Sequence, residues 1–279
     1  MQSTNHIFMV EPVDFHSNPQ TKETNAYQHD DDLTIKEIES KAVAEFRAFR
    51  DLLVAHGVCV STALGQEGAP DDIFCNNWIS THTGRRAVLY PMLAENRKVE
   101  RRDDLLALVR RYYSDIFDFS AHEQKGKALE STGALCLDRV NKIAYFNASP
   151  RADESIARLW ADTMDYVLVP FETEYEGQPV YYTDVVMWIG TKMAGVCSEC
   201  IKDKEVVLEQ LSKTHEVLEF TNDQMKSFCG NALEVVGKGG EKMLVMSAAG
   251  FNELKSTSFS INPSKCHKCN KVNQNNKKK

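Results

Sequence analysis

The sequence predicts an α/β fold made of recurring ββαβ units set in a ring. Three observations carry this. Hairpin patterns begin near residues 78, 134, 183 and 232, a spacing of about 50 to 56 residues, which is the size that marks a repeat architecture. Each of the first three hairpins is followed by a helical pattern and then a short apolar strand, and the fourth by a short helix. Closing such units on one another also leaves no open sheet edge. An ordinary α+β fold with hairpins at chance spacing is the competing reading. Four recurrences in one element order favour the repeat.

The elements follow in order. The strand "HIFMVEPV" opens the chain. A helix spans 34–56: Thr34 and Glu37 form a capping-box pattern, Gly57 supplies the stop, and Ile38, Ala42, Phe46, Phe49 and Leu53 share one face. With the strand "VCVSTA" they make a unit that lacks one strand. "WISTHTGRRAVLYPML" reads as a hairpin across Gly84-Arg85, followed by a helix from about Glu100 to Tyr113 and the strand "IFDFS". The next unit is "ALCLDRVNKIAYFN", helix "DESIARLWADTM" and strand "YVLVPFE". Then come "TDVVMWIGTKMAGV", helix "KDKEVVLEQLSK" and strand "EVLEF". The last hairpin, "ALEVVGKGGEKMLVMS", turns on glycines and leads into "AAGFNELKS". The tail 256–279 ends in a Lys run, has no apolar alternation and reads as disordered and basic. The domain expectation is one unit over 1–255 and that atypical tail.

Bulk properties narrow the function. Hydrophobic residues make up 42% of 279, enough for a sizeable core, and the net charge of −7 argues against nucleic-acid binding. No apolar run reaches membrane-spanning length, and "MQSTNHIF" lacks a signal peptide's charged and apolar regions, so a soluble, cytoplasmic protein without membrane contact is expected. The eight Cys are then expected to be free thiols. Two CxxC pairs, "CSEC" (197–200) and "CHKC" (266–269), leave open a zinc-bound interaction protein, but the first lies in an apolar run where Cys packs as a small hydrophobe. No metal or other cofactor is called for.

In a ring, the loops leading into the hairpins share one face. They bring together Asp71, Asp72, Asn76, Glu130, Thr132, Asp184 and Asn231, with Phe74, Tyr181 and Tyr182 as walls. Carboxylates that close to one another repel unless a cation separates them, and no Lys or Arg stands among these loops. The pattern therefore points to a cationic ligand, and the aromatic walls favour a planar guanidinium over a hard metal. The bland alternatives are a turn cap for Asp71, a solvated loop charge for Glu130 and a strand-end cap for Asp184.

Seven stretches carry a resemblance: 8–28, "PDDIFCNNWISTH", "PMLAENRKVERRDD", "LESTGALCLDRVNKIAY", "SPR" (149–151), "VYYTDVVMWIG" and "FCGNALEV". They resemble the guanidine-modifying superfamily of amidinotransferases, arginine deiminases and dimethylarginine hydrolases, and look most like its citrulline utilization hydrolase branch. The resemblance implies a five-unit ββαβ pseudo-symmetric propeller, here with its last unit incomplete. It implies a Cys thiolate that attacks the guanidinium or ureido carbon, a His as acid and base, and carboxylates that grip the substrate nitrogens. Asp71 and Glu130 fall on the carboxylate positions. Phe74, Asn76, Asn231 and Arg151 fall on the substrate side, and Asp184 with Tyr182 on the catalytic side.

Two departures qualify this. Tyr182 stands where the superfamily has His, and a phenol of pKa about 10 is a poor proton shuttle near neutrality. The Gly-rich strand bearing the Cys, due near residue 266 by the repeat period, is not in the sequence; neither Cys266 nor Cys269 has its context. The expectation is either a partner chain at the open edge, hence an oligomer, or a different natural end. Cys75 and Cys229 lie in site-facing loops, with His82 as the one nearby candidate base. Two functions stay open: a hydrolase or amidinotransferase acting on arginine, citrulline or a related amino acid, and a non-catalytic relative that binds a cationic amino acid or a protein partner.

Overall fold

The computed structural model describes residues 1–25 and 33–256. The tail beyond 256, with Cys266 and Cys269, lies outside the described residues. The architecture is mixed α/β, with helices beside five small sheets.

β1 (His6–Glu11) runs into α1 (Ile35–Ala55), and β2 (Cys59–Leu64) returns parallel to β1 in a register of His6 with Cys59. The Thr34–Glu37 capping box is present. The next unit has β3 (Ile79–His82) antiparallel to β4 (Arg86–Leu89), the one-turn α2 (Glu95–Lys98), α3 (Asp103–Tyr112), and β5 (Asp115–Asp118) parallel to β4. The sequence reading put a single helix start near Glu100; instead a short helix precedes α3, and this sets where Arg97 points. The one-turn α4 (Ser131–Ala134) leads into β6 (Leu135–Asp138) and β7 (Ile143–Asn147), then α5 (Glu154–Met164) and β8 (Val167–Phe171). α6 (Thr183–Val186) leads likewise into β9 (Met187–Ile189) and β10 (Met193–Val196), then α7 (Lys204–Ser212) and β11 (Glu216–Glu219). α8 (Asn222–Lys226) precedes the hairpin β12 (Ala232–Val236) and β13 (Lys242–Met246), and α9 (Ala248–Ser256) follows.

Three sheets thus repeat one order: an antiparallel hairpin whose second strand takes a parallel third strand across a helix. The β1–β2 and β12–β13 sheets have two strands each among the described residues. On the α1 face predicted from its apolar spacing, Leu53 is buried but Phe49 stays 40% exposed. The dense core lies around the complete sheets, where Trp160, Phe146, Leu135 and Tyr90 are fully buried, and around Val186, Met187 and Leu211.

The stretches leading into successive hairpins interlock. Residues 75–77, α4 and α6 pack side by side. A Cβ on Gly133 would come 2.5 Å from Asn77 Nδ2 and 3.2 Å from the Tyr182 ring, so the two neighbouring units meet closely at this glycine. That contact holds the candidate residues of three units together.

Candidate functional site

Residues 69–77 form consecutive tight turns, with Asp72 N bonded to Ala69 O, Phe74 N to Asp71 O and Asn77 N to Phe74 O. The turns send the paired aspartates apart. Asp72 is buried beneath Gln66, whose backbone N donates to it at 2.9 Å, and burial pushes its carboxyl up to about 6. Asp71 faces the other way, where Asn18 Nδ2 donates at 2.8 Å and Thr21 Oγ1 at 3.3 Å.

By sequence, the loops with the converging carboxylates hold no Lys or Arg. The structure corrects this: α2 sends Arg97 into their midst, buried to 1% exposure. Its Nε donates to Glu100 at 2.7 Å and its Nη2 to the second Glu100 oxygen at 3.2 Å, a two-point clasp. Nη1 reaches Glu130 at 3.5 Å and the Tyr182 hydroxyl at 3.3 Å. Nη2 also reaches Asn77 Oδ1 at 3.2 Å and the carbonyls of Phe74 and Asp71 at 3.4 and 3.5 Å, and Asp71 Oδ2 lies 3.9 Å from Nε. Burial alone would draw the Arg97 pKa down, but the Glu100 and Glu130 carboxylates more than reverse it, and the guanidinium stays charged. Arg97 stands in the stretch "PMLAENRKVERRDD", so the signal was in the sequence. What it lacked was the direction of a one-turn helix.

Arg151 is the second cation, placed by the turn 149–152 that closes before Asp153 caps α5. It is buried, stacks over Tyr181 and Tyr182 at 5.2 and 5.3 Å from the ring centroids, and donates to the Tyr182 hydroxyl at 3.3 Å. Its outer edge holds the N-terminal loop, donating to Thr24 Oγ1 at 2.7 and 2.9 Å and to Thr21 O at 2.9 Å. Tyr182 in turn donates to Glu130 Oε2, while Leu93 N donates to Oε1 at 3.0 Å. The backbone beside Glu130 is strained, with Ser131 at φ 43°. Glu130, Tyr182, Arg97 and Arg151 are thus one buried, fully bonded unit. Burial and the Glu130 charge push the Tyr182 phenol well above its ordinary pKa, so it is neutral at physiological pH.

The other predicted residues stand apart. Phe74 is 43% exposed and contributes its carbonyl rather than a wall. Asn76 is exposed and bonds Thr132, with Nδ2 to Oγ1 at 3.5 Å and Oγ1 to its carbonyl at 3.2 Å. Asn231 is exposed and donates to the Asp184 backbone carbonyl at 3.3 Å. Asp184 has no hydrogen bond to Glu130 or Tyr182 among the described residues; it lies near Cys136, whose thiol it helps burial to push upward.

Asp184 yields a pH prediction. As a residue it is half-buried, yet its Oδ1 is closed off from solvent and has no hydrogen-bond partner. Burial pushes the carboxyl from 3.8 up to about 8. Between those values the folded chain holds a proton that the unfolded chain has released. Stability therefore falls as pH rises through that window. The stability gained on Asp184→Asn should grow from pH 5 to pH 8 by about 1 kcal/mol per pH unit at most, read by urea unfolding. A difference that does not change with pH would mean an ordinary, hydrated carboxylate.

The described thiols are packed groups. Cys75 is buried with Sγ 3.8 Å from Phe8 O, and burial pushes it up to about 12; Cys229 donates to Gly250 O at 3.3 Å and sits near 11. His82 does not approach either: its ring nitrogens meet Ser80 Oγ at 2.7 Å and Arg139 Nη1 at 3.3 Å. Cys197 and Cys200 are buried, with the Cys200 thiol on the Cys197 carbonyl at 3.3 Å. No group of three metal-ligating side chains forms among the described residues.

Residues 11–264 match the sequence model of the eukaryotic N,N-dimethylarginine dimethylhydrolases. The chain belongs to that family. The superfamily expected from the sequence is therefore the one found, and its arginine-modifying members share the mixed α/β fold. The N-terminal domain of ArgZ, an arginine dihydrolase of the ornithine-ammonia cycle in cyanobacteria, superposes with a TM-score of 0.68 at 14% identity over 91% of this chain and 88% of that one. The dimethylarginine dimethylhydrolase of Pseudomonas aeruginosa, solved with citrulline, gives 0.63 at 14% identity over 92% and 89%. AgrE, solved with L-arginine, gives 0.69 at 16% identity over 91% and 36%. This chain spans about a third of full-length ArgZ and AgrE, covering 37% and 36% of them. No curated protein matches the chain significantly. Among the described residues, no helix is long and apolar enough to cross a membrane.

Proposed function

We propose that this dimethylarginine dimethylhydrolase family member binds a small amino acid with a guanidino or ureido side chain, of the arginine or citrulline type, and does not hydrolyse it at neutral pH. The observation that carries the reading is Tyr182, a neutral phenol locked to Glu130 and bonded by two arginines. Cleavage of a resonance-stabilised C–N bond needs a group that gives and takes a proton near pH 7. A phenol held above its ordinary pKa does neither.

Recognition draws on what the cluster retains. Arg151 and Arg97 carry planar forks of the kind that suit a carboxylate, and a ligand would have to replace part of their present bonding to Thr24, the Tyr182 hydroxyl and Glu130. Asp71 and Glu130 accept from N–H groups, and Asn76 and Asn231 stand at the exposed rim. Two cations already stand against Asp71, Glu100 and Glu130, which suits a neutral ureido group better than a bare carboxylate cage would. The ligand classes come from the relatives solved with L-arginine and citrulline. A second reading, hydrolysis or amidine transfer through a Cys nucleophile with Glu130 and Asp184 assisting, is favoured by family membership itself. Calorimetric titration with citrulline and arginine tests the first. Heat of binding is expected, with affinity reduced about tenfold or more in Arg151→Gln. No heat from the natural chain, or equal affinity in the variant, would overturn it.

The same proposal covers the wider organisation. Residues 1–255 are read as one five-unit ββαβ propeller with an incomplete unit, supported by five sheets and three repeats of one strand order. Among the described residues β1 and β13 each pair with one strand only, which favours association with a second chain. Six unpaired thiols among the described residues support a reducing, cytoplasmic setting.

A further inference from the structure

The hairpin turns lie at the far end of the strands from the Glu130 cluster. There the turns 82–86 and 138–142 bring Arg86, Arg139 and Lys142 together. Each is pinned by groups that carry no negative charge. Arg139 Nη1 donates to Thr81 O at 3.0 Å and to His82 Nδ1 at 3.3 Å; Arg86 Nε donates to Thr83 O at 3.5 Å. Lys142 Nζ donates to Met164 O at 3.4 Å and lies 4.4 Å over the Tyr166 ring. The His82 and Tyr166 rings themselves meet edge to face at 6.5 Å. Arg139 and Lys142 thus flank one buried aromatic pair, and Arg86 stands opposite His82 in the β3–β4 hairpin.

Their charges are not balanced. None of the three forms an ion pair with a described carboxylate, although the whole chain carries a net charge of −7. Asp115 stands opposite Arg86 in the β4–β5 register and Asp165 acts on Lys142 from a distance, without contact. Asp138 is occupied by Asn141 and by the backbone N–H groups of 140 and 141. After burial, Arg86 and Arg139 are what lower the Lys142 pKa, and burial together with all three cations drives His82 down to about 3. Half-buried cations held on carbonyls and left unneutralised are a preorganised receptor for an oxyanion.

We propose that Arg86, Arg139 and Lys142 form a binding site for a small phosphate-bearing anion, separate from the amino-acid site. Three cations without an ion-pair partner among the described residues, set on the neighbouring turns 82–86 and 138–142, suit the several oxygens and higher charge of a phosphate group better than a carboxylate or chloride.

Titration calorimetry at low ionic strength tests this with inorganic phosphate and adenosine 5′-monophosphate, against acetate as control. Phosphate is expected to bind more tightly than acetate, and Lys142→Gln and Arg86→Gln each to weaken it about tenfold. Arg139→Gln should weaken it further, but Arg139 also joins two hairpins, so the other two variants decide. Tighter binding of the nucleotide would mark a phosphate ester as the ligand, and equal binding free phosphate. Citrulline affinity should be unchanged in all three variants. No phosphate binding by the folded natural chain, or binding that survives both Lys142→Gln and Arg86→Gln, would overturn the site.

Discussion

Arg97→Leu is expected to cost about 3–5 kcal/mol of folding stability, measured by denaturant unfolding. The side chain is buried, and leucine supplies apolar volume but no donors. Glu100 and Glu130 would remain as buried carboxylates without their nearest cation. Asn77 Oδ1 and the carbonyls of Asp71 and Phe74 would lose a shared donor as well. Most of the loss is the penalty of stranding charges rather than the net worth of the ion pairs. The cycle with Glu130→Leu separates the two. Glu130→Leu alone strands Arg97 and Arg151, so it too should cost several kcal/mol, while the double variant should cost clearly less than the sum. Additive losses would mean that the two residues are not one unit.

Gly230→Ala is expected to be nearly as damaging, at about 3 kcal/mol or more. A Cβ there would lie 1.9 Å from Val185 O and 2.6 Å from Val185 C. Those are backbone atoms of α6, which cannot rotate away as a flexible side chain could. The chain before β12 presses directly on the segment that carries Tyr182 and Asp184. Relief would have to come from separating two units. Thermal unfolding should fall steeply, and the Tyr182 environment should change with it in near-ultraviolet circular dichroism. A variant with natural stability would show that these two units do not meet so closely.

The repeat was legible because it is written locally. The hairpin patterns of β3–β4 and β6–β7, the Thr34–Glu37 capping box and the apolar face of α1 each depend on a few neighbouring residues. The loops that carry Asp71, Glu130 and Tyr182 followed from the order of elements, and these residues do gather. What local pattern could not give was the direction of side chains in one-turn segments. Arg97 enters the centre from the one-turn α2, which precedes the helix expected from about Glu100. Asp71 and Asp72 part at a tight turn, so adjacent identical residues take opposite environments. Asp184 turns toward Cys136 for the same kind of reason: α6 is four residues long, and burial of Val185 and Val186 fixes its roll.

The most direct measurement is release of ammonia or methylamines by the natural chain at pH 7 with saturating citrulline, arginine or dimethylarginine, in samples where binding has been measured calorimetrically. Tyr182 held between Glu130 and two arginines predicts binding of at least one of these amino acids and no release above the buffer rate. Catalytic release that disappears in Glu130→Gln would contradict it and make the chain a working hydrolase.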